Sequence, residues 1–179
     1  MSKNSNIRLD VWLYLLFIPA GYITYLFHES GHWLVGELLG NEMVFTLNGV
    51  WPAAGHYIDS SHALYVYLGG PVCTILQSVI VLLVIGWSGS MYAYPFVFFP
   101  VFTRFFSLLL GGFDKQDEAK IAALLDVGPY TIALIVLFVL LVILLWSGYK
   151  LRIGLKYNFY SMAVSTACLL MVIQTDKLI

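Results

Sequence analysis

Two histidines and a glutamate occupy a five-residue stretch, His28-Glu29-Ser30-Gly31-His32. On an α-helix, residues four positions apart lie on one face about 5 to 6 Å from each other, so both histidines can ligate a single metal ion. Zinc is the expected ion, and Glu29 stands where the general base of such hydrolases activates water. The spacing therefore predicts a zinc site that supports hydrolysis.

Two histidines leave such a site incomplete, because catalytic zinc usually takes three protein ligands and keeps a fourth position open. Asp117 and Asp114 are the best candidates for the third ligand, since carboxylates bind zinc well and both follow a predicted membrane helix that ends on the side of the motif. His56 and His62 are reserve candidates.

The composition predicts the environment of this site. The chain has 179 residues, of which 60% are hydrophobic and 11% are charged, whereas soluble domains are about 25% charged. Ionisable residues within an apolar helix cost several kcal/mol unless they are paired or bound to metal, so their presence points to a function. A net charge of -1 without a basic stripe argues against nucleic acid as a partner.

The apolar runs predict an all-α polytopic membrane protein of about five transmembrane helices, with four or six left open. A single membrane-embedded domain is expected over 1–179, with a core at 11–126 and additional helices within 129–174. The predicted helices are 11–39, 62–87, 92–110, 130–146 and 157–173, and an amphipathic segment ends near Leu125.

Glycines and prolines predict where these elements bend or end. Pro19 is a possible kink in the first helix, which should stop at Gly40-Asn41. The segment Gly69-Gly70-Pro71 is expected to interrupt the second helix and to mark close packing, and Gly111-Gly112 is expected to end the third. Between the first two helices we predict a small β-hairpin, whose elements are a strand at 43–47, a turn at Asn48-Gly49, a return strand beginning at Val50-Trp51 and a break at Pro52.

The predicted topology brings the candidate ligands together. Three crossings place the end of the first helix, the start of the second and the end of the third on one side of the membrane, so the histidine motif and segment 114–117 should meet. Basic residues weakly favour a cytoplasmic N-terminus, and the side on which the site opens stays undetermined. We expect a multi-pass protein of the cell membrane.

The residues from about 22 to 125 resemble the site-2 protease family of intramembrane zinc metallopeptidases. The stretch from His28 to Leu34 is similar to the family's His-Glu-x-Gly-His motif, and Gly70-Pro71 is similar to its Gly-Pro segment, although Thr74 replaces a common asparagine. The run Asp117-Glu118-Ala119-Lys120-Ile121 fits the family's Asp-Gly signature with Glu118 in place of glycine, and Asp114-Lys115 is an alternative register.

The resemblance implies hydrolysis of a peptide bond in or near a transmembrane segment of a membrane-embedded protein substrate. His28, His32 and Asp117 would hold zinc, which polarises the scissile carbonyl, and Glu29 would move a proton from water to the leaving amine. The hairpin at 43–51 would either offer an edge for strand addition to an extended substrate or serve packing alone.

Further polar residues in the apolar segments have two interpretations each. Thr74 and Gln77 would bind the substrate backbone or join helices by hydrogen bonds. Arg104 would pair with a carboxylate or an oxyanion of the site, or extend to the lipid headgroups.

Two other functions stay open at this stage. The first is a membrane metalloprotein or transporter that binds zinc without hydrolysis. The second is a non-catalytic scaffold derived from a peptidase, in which Thr74 and Glu118 would reflect lost activity. The sequence leaves the substrate and the oligomeric state undetermined.

Overall fold

The structure, a computed structural model, describes residues 11–110 and 113–178. Within this part of the chain, five helical spans are long and apolar enough to cross a membrane. They are Val11–Leu38, His62–Ser88, Met91–Leu109, Thr131–Leu151 and Leu155–Asp176. The predicted all-α membrane architecture of five spans with one hairpin is therefore confirmed. Gly111-Gly112, predicted to end the third helix, lies outside the described residues.

The first span consists of two helical segments, α1 (Val11–Leu15) and α2 (Phe17–Leu38). The ladder is disturbed near Leu16 because Pro19 has no N–H to donate to the carbonyl four residues before it. The span ends as predicted at Gly40, which has a φ of 82°. There the N–H groups of Gly40 and Asn41 donate to the carbonyls of Glu37 and Gly36, at 2.9 and 3.0 Å. These two bonds form a Schellman motif, which satisfies the last carbonyls of the helix.

The predicted hairpin is present, with its turn shifted by one residue. Strands β1 (Met43–Thr46) and β2 (Gly49–Pro52) pair antiparallel with Thr46 opposite Gly49, so the turn is Leu47-Asn48 and the predicted Asn48-Gly49 turn is wrong. Tertiary contact explains the shift, because the backbone N–H of Asn48 donates to Asp176 at 3.1 Å. The hairpin is thereby tied to the end of the last helix.

Helix α3 (His62–Ser88) is continuous, so the predicted interruption at Gly69-Gly70-Pro71 is wrong. The close packing expected there is present, because a Cβ built on Gly31 would overlap the carbonyl of Gly69, and one on Gly69 would overlap that of Gly31. The two backbones touch at this crossing. Pro71 is tolerated inside the helix because neighbouring elements surround the loosened turn.

The remaining helices are α4 (Pro95–Leu110), α5 (Asp117–Leu124), α6 (Thr131–Leu151) and α7 (Leu155–Asp176). Helix α2 is central: it packs most extensively on α3 and also contacts α4 and α7, while α6 covers α3 and α4 and the short α5 lies against α3. The outer face of α6 exposes large apolar side chains, as a lipid-facing surface does. These are Leu134, Ile135, Phe138, Leu141, Val142 and Leu145.

Aromatic side chains fill the space where α1, α2, α4 and α7 meet. We call this cluster the aromatic core, and its buried members include Leu13, Phe17, Tyr94, Phe98, Phe99 and Tyr157. The rings of Phe17 and Phe98 meet edge to face with centroids 5.7 Å apart. This core fixes the early part of α2, while the histidine motif lies on the later part of the same helix.

Candidate metal centre

His28, His32 and Asp117 bring three ligand atoms to one point. Both histidines are on α2, and Asp117 is the first residue of α5. The Nε2 atoms of the two rings are 3.2 Å apart, and each is 3.1 Å from Oδ2 of Asp117. This group could hold a metal ion. The topology prediction that the motif meets segment 114–117 is confirmed by these contacts.

The other proposed ligands lie elsewhere. Asp114 is exposed, in a short 3-10 turn before α5, and it is outside the group of three. His62 contacts the side-chain amide of Asn41, and the exposed His56 contacts the carbonyl of Ala54. The structure thus gathers the predicted histidine pair with Asp117, and it does not gather Asp114, His56 or His62 with them.

The donor set fits a divalent metal of the zinc type. Tetrahedral zinc with bonds of about 2.0 to 2.1 Å holds its ligand atoms about 3.3 Å apart, and the three atoms here are separated by 3.1 to 3.2 Å. Two imidazole nitrogens and one carboxylate oxygen also form a common set for catalytic zinc. Three lone pairs at this separation repel each other unless a proton or a metal ion lies among them.

The outer nitrogen of each imidazole has a partner that fixes the ring. Nδ1 of His32 is 2.6 Å from the carbonyl of Val66, which can only accept, so Nδ1 carries the proton. Nδ1 of His28 is 3.0 Å from Oγ1 of Thr74, whose own hydrogen is donated to the carbonyl of Gly70 at 3.1 Å. Nε2 of His32 is then left with a free lone pair, which is the tautomer that metal ligation requires, and His28 would take the same tautomer by donating from Nδ1 to Thr74.

The two oxygens of Asp117 have different neighbours. Oδ2 faces the histidines, and Oδ1 is 3.6 Å from Nζ of Lys120, which also lies 4.6 Å from the ring centre of Tyr67. Burial raises the pKa of Asp117, but the hydrogen bonds that His28 and His32 donate to it in the metal-free site outweigh burial and hold this pKa well below its usual value. The carboxylate is therefore ionised at neutral pH, and ionised carboxylates bind metals.

A glycine lies directly against the two imidazoles. A Cβ built on Gly70 would overlap Nε2 of His32 and Cε1 of His28. The rings thus occupy the space that any larger residue at position 70 would need. Together with the adjacent contact of Gly31 and Gly69, this brings α3 close enough for Val66 and Thr74 to reach the outer nitrogens.

The three candidate ligands His28, His32 and Asp117, which we call the metal-binding group, open into a cavity of about 270 Å³. Glu29, of which 7% is exposed, lies in its wall with the three candidate ligands and Thr74. The hairpin contributes Asn48, Gly49 and Val50 to the same wall. A carboxylate, a metal-binding group and a short sheet therefore face one space inside the helical bundle.

Gln77, the second predicted substrate-binding residue, lies away from the cavity. Its side chain is buried, and its Nε2 donates to Oγ1 of Thr24 at 3.0 Å and to the carbonyl of Phe96 at 3.3 Å. Gln77 is not among the described residues that line the cavity. The helix-joining interpretation of Gln77 matches these contacts. Thr74 reaches the cavity wall, and its hydroxyl is engaged with His28.

Two buried charges next to the site were not assigned together from the sequence. Nη1 of Arg104, on α4, is 3.3 Å from both carboxylate oxygens of Glu118, the second residue of α5. Arg104 thus pairs with a carboxylate, but with Glu118 rather than with one of the predicted site carboxylates. A signal was available, because an arginine and a glutamate fourteen residues apart flank the predicted end of one membrane helix and need partners.

No protein-family model matches this chain, and comparisons with curated proteins and with solved structures also find no match.

Proposed function

We propose that this protein is an intramembrane zinc metallopeptidase of the site-2 protease type, which hydrolyses a peptide bond in or near a transmembrane segment of its substrate. The observation that carries the proposal is the convergence of His28, His32 and Asp117 in a cavity that Glu29 also faces. Five potential spans around this cavity support an intramembrane location, for which we propose the cell membrane.

Zinc is the metal that this donor set suits best. Three protein ligands leave the fourth coordination position open, as in catalytic zinc sites, whereas structural sites are closed by four protein ligands. The hydrogen bonds from the imidazoles to Val66 and Thr74 support the same conclusion, because such outer partners orient ligands and tune the bound ion.

The remaining residues supply binding and proton transfer. When bound, zinc would polarise the scissile carbonyl and lower the pKa of the attacking water. Glu29 would accept a proton from that water and deliver it to the leaving amine. The burial of Glu29 within the bundle would keep bulk water away from this transfer.

The hairpin supports a peptide as the substrate. Gly49 and Val50 of β2 line the cavity beside the candidate ligands, and the sheet has only two strands within the described residues. A third strand supplied by an extended substrate would satisfy backbone groups of a free edge. Extension of the substrate is needed for cleavage, since a helical peptide bond is shielded by its own hydrogen bonds.

The first test is the zinc content of detergent-purified protein. We expect about one zinc per chain in the wild type and in Asp114→Ala, which removes an exposed carboxylate near the site. His28→Ala, His32→Ala and Asp117→Ala should lose the metal. Zinc retained by all three of these variants would contradict the assigned ligands.

The second measurement separates catalysis from metal binding alone. Glu29→Gln should keep its zinc while cleavage of labelled transmembrane peptides, reconstituted in liposomes with the protein, falls to the level of the metal-free variants. A Glu29→Gln variant as active as the wild type would refute the assigned base. A wild type that binds zinc but cleaves none of a varied peptide panel would favour the zinc-binding protein or transporter instead.

A further inference from the structure

Arg104 and Glu118 form a charged pair in the interior of the bundle. Only 1% of the Glu118 side chain and 14% of the Arg104 side chain are exposed. Removing a carboxylate from water is energetically costly, and this cost is offset only by a well-placed counter-charge. The guanidinium of Arg104 is thus held in position by Glu118.

Glu118, which holds Arg104, is connected through the backbone to the candidate metal ligand Asp117. Glu118 directly follows Asp117, and both lie in the first turn of α5, where the helix dipole favours carboxylates. One carboxylate of this turn faces the histidines, and the next one faces the arginine. Any movement of α5 would therefore displace the candidate ligand and the guanidinium together.

The second terminal nitrogen of Arg104 is turned toward the site. Nη2 lies 2.8 Å from Nδ1 and 3.1 Å from Nε2 of His28. Both contacts have hydrogen-bond geometry, and because guanidinium nitrogens can only donate, Nη2 is the donor in each. With a metal on Nε2 of His28, Nδ1 would carry the proton and donate it to Thr74, so neither ring nitrogen could accept from Nη2. In the metal-loaded site the N–H groups of Nη2 would thus be free to bind a ligand in the cavity, which Arg104 lines.

We propose that Arg104 is a catalytic residue that binds the carbonyl oxygen of the scissile peptide bond as this oxygen becomes negative, and that Glu118 is its positioning residue. This inference rests on the function proposed above. The water oxygen forms a bond to the carbonyl carbon, and the π electrons of the C=O bond move to the carbonyl oxygen. The guanidinium stabilises this charge with N–H donors already in place.

Collapse of this tetrahedral species completes the reaction. The oxygen electrons re-form the C=O bond, the C–N bond breaks, and Glu29 passes the proton that it took from water to the departing nitrogen. The products are a carboxylic acid and an amine. Arginine suits this role because its fixed fork can hold Glu118 with one nitrogen and the substrate oxygen with the other.

Two metal-directed probes test the inference on the zinc-loaded protein in detergent. A phosphinic dipeptide carries the tetrahedral anionic centre that Arg104 should bind, and a dipeptide hydroxamate binds mainly through the metal. In Arg104→Gln we expect the affinity for the phosphinic compound to fall about 100-fold, which is the effect of losing one oxyanion donor. Hydroxamate binding and zinc content should stay at the wild-type level.

Further variants separate this role from a structural one. Arg104→Lys should recover only part of the affinity, because an ammonium cannot hold both partners. Glu118→Gln should weaken phosphinate binding about tenfold, since the anchor loses its charge. Arg152→Gln, which changes an exposed arginine, is the matched control and should have no effect. In a cleavage assay, the Arg104 variants should lower kcat and leave KM nearly unchanged.

The outcomes distinguish the two proposals. Equal affinity of the wild type and Arg104→Gln for the phosphinic dipeptide would overturn the role of Arg104 and leave the peptidase proposal standing. A wild type that takes up no zinc, or that holds zinc but binds neither probe, would overturn the peptidase proposal and this inference with it.

Discussion

The early part of helix α2 and its histidine motif both carry buried side chains, yet the two regions are built by different means. The early end lies in the aromatic core, where Phe17 meets the ring of Phe98 and Gly21 meets that of Phe99. The later end, which we call the metal end, consists of His28, His32, Asp117, Arg104 and Glu118. From Phe17 to His28, eleven residues cover about 16 Å of helix.

The difference lies in what each contact tolerates. Rings in the aromatic core meet through side-chain surfaces, and inside a bilayer such packing stabilises through van der Waals contact. The metal end depends on two backbones that touch at Gly31 and Gly69 and on single hydrogen bonds to each imidazole. Small changes in the aromatic core should therefore lower the free energy of unfolding. Small changes at the metal end should abolish metal binding.

The largest effect is expected from Gly70→Ala at the metal end. The added methyl group would overlap both imidazoles, so the ligand atoms cannot keep their positions, and the zinc content should fall from about one per chain to near zero. Zinc content and thermal unfolding in detergent are the measurements. Gly86→Ala is the control on the same helix, because no described residue lies within 4 Å of a Cβ there. A wild-type zinc content in Gly70→Ala would contradict the claim that the metal end tolerates no added methyl group.

A smaller effect is expected from Thr74→Val, which keeps the shape of the side chain and removes its hydroxyl. Nδ1 of His28 then loses its acceptor, and the affinity for zinc should fall about 10- to 100-fold, as measured by competition with a chelator. Thr166→Val removes a hydroxyl that donates to the carbonyl of Met162 on α7, far along the chain, and should leave the affinity unchanged. Equal affinities in both variants would show that Thr74 does not orient the ligand.

The smallest effect is expected from Tyr94→Phe in the aromatic core. The ring stays in place, but the hydrogen bond from its hydroxyl to Asn158 at 2.8 Å is lost, so the free energy of unfolding should fall by about 1 kcal/mol. Zinc content should not change. Tyr149→Phe, at a tyrosine that is 79% exposed, is the matched control for stability. Loss of zinc in Tyr94→Phe would show that the two ends are coupled.

Much of the fold was predictable because the bilayer restricts what a chain can do. Long apolar runs must become helices there, since every backbone group needs an internal partner. Five spans, the hairpin between the first two and the stop at Gly40 followed from this rule and from turn chemistry. The errors at Gly69-Gly70-Pro71 and at Asn48-Gly49 both come from tertiary contact, with Gly31 in one case and Asp176 in the other.

The sequence by itself determined the histidine pair and the glutamate between them, because helical spacing alone places His28 and His32 on one face. It also limited the candidate third ligand to a few residues on the matching side. Only the tertiary structure brought Asp117 rather than Asp114 to the histidines, placed Thr74 and Val66 behind them, and joined Arg104 to Glu118. These contacts link different helices, so they depend on how the bundle packs, which local spacing does not encode.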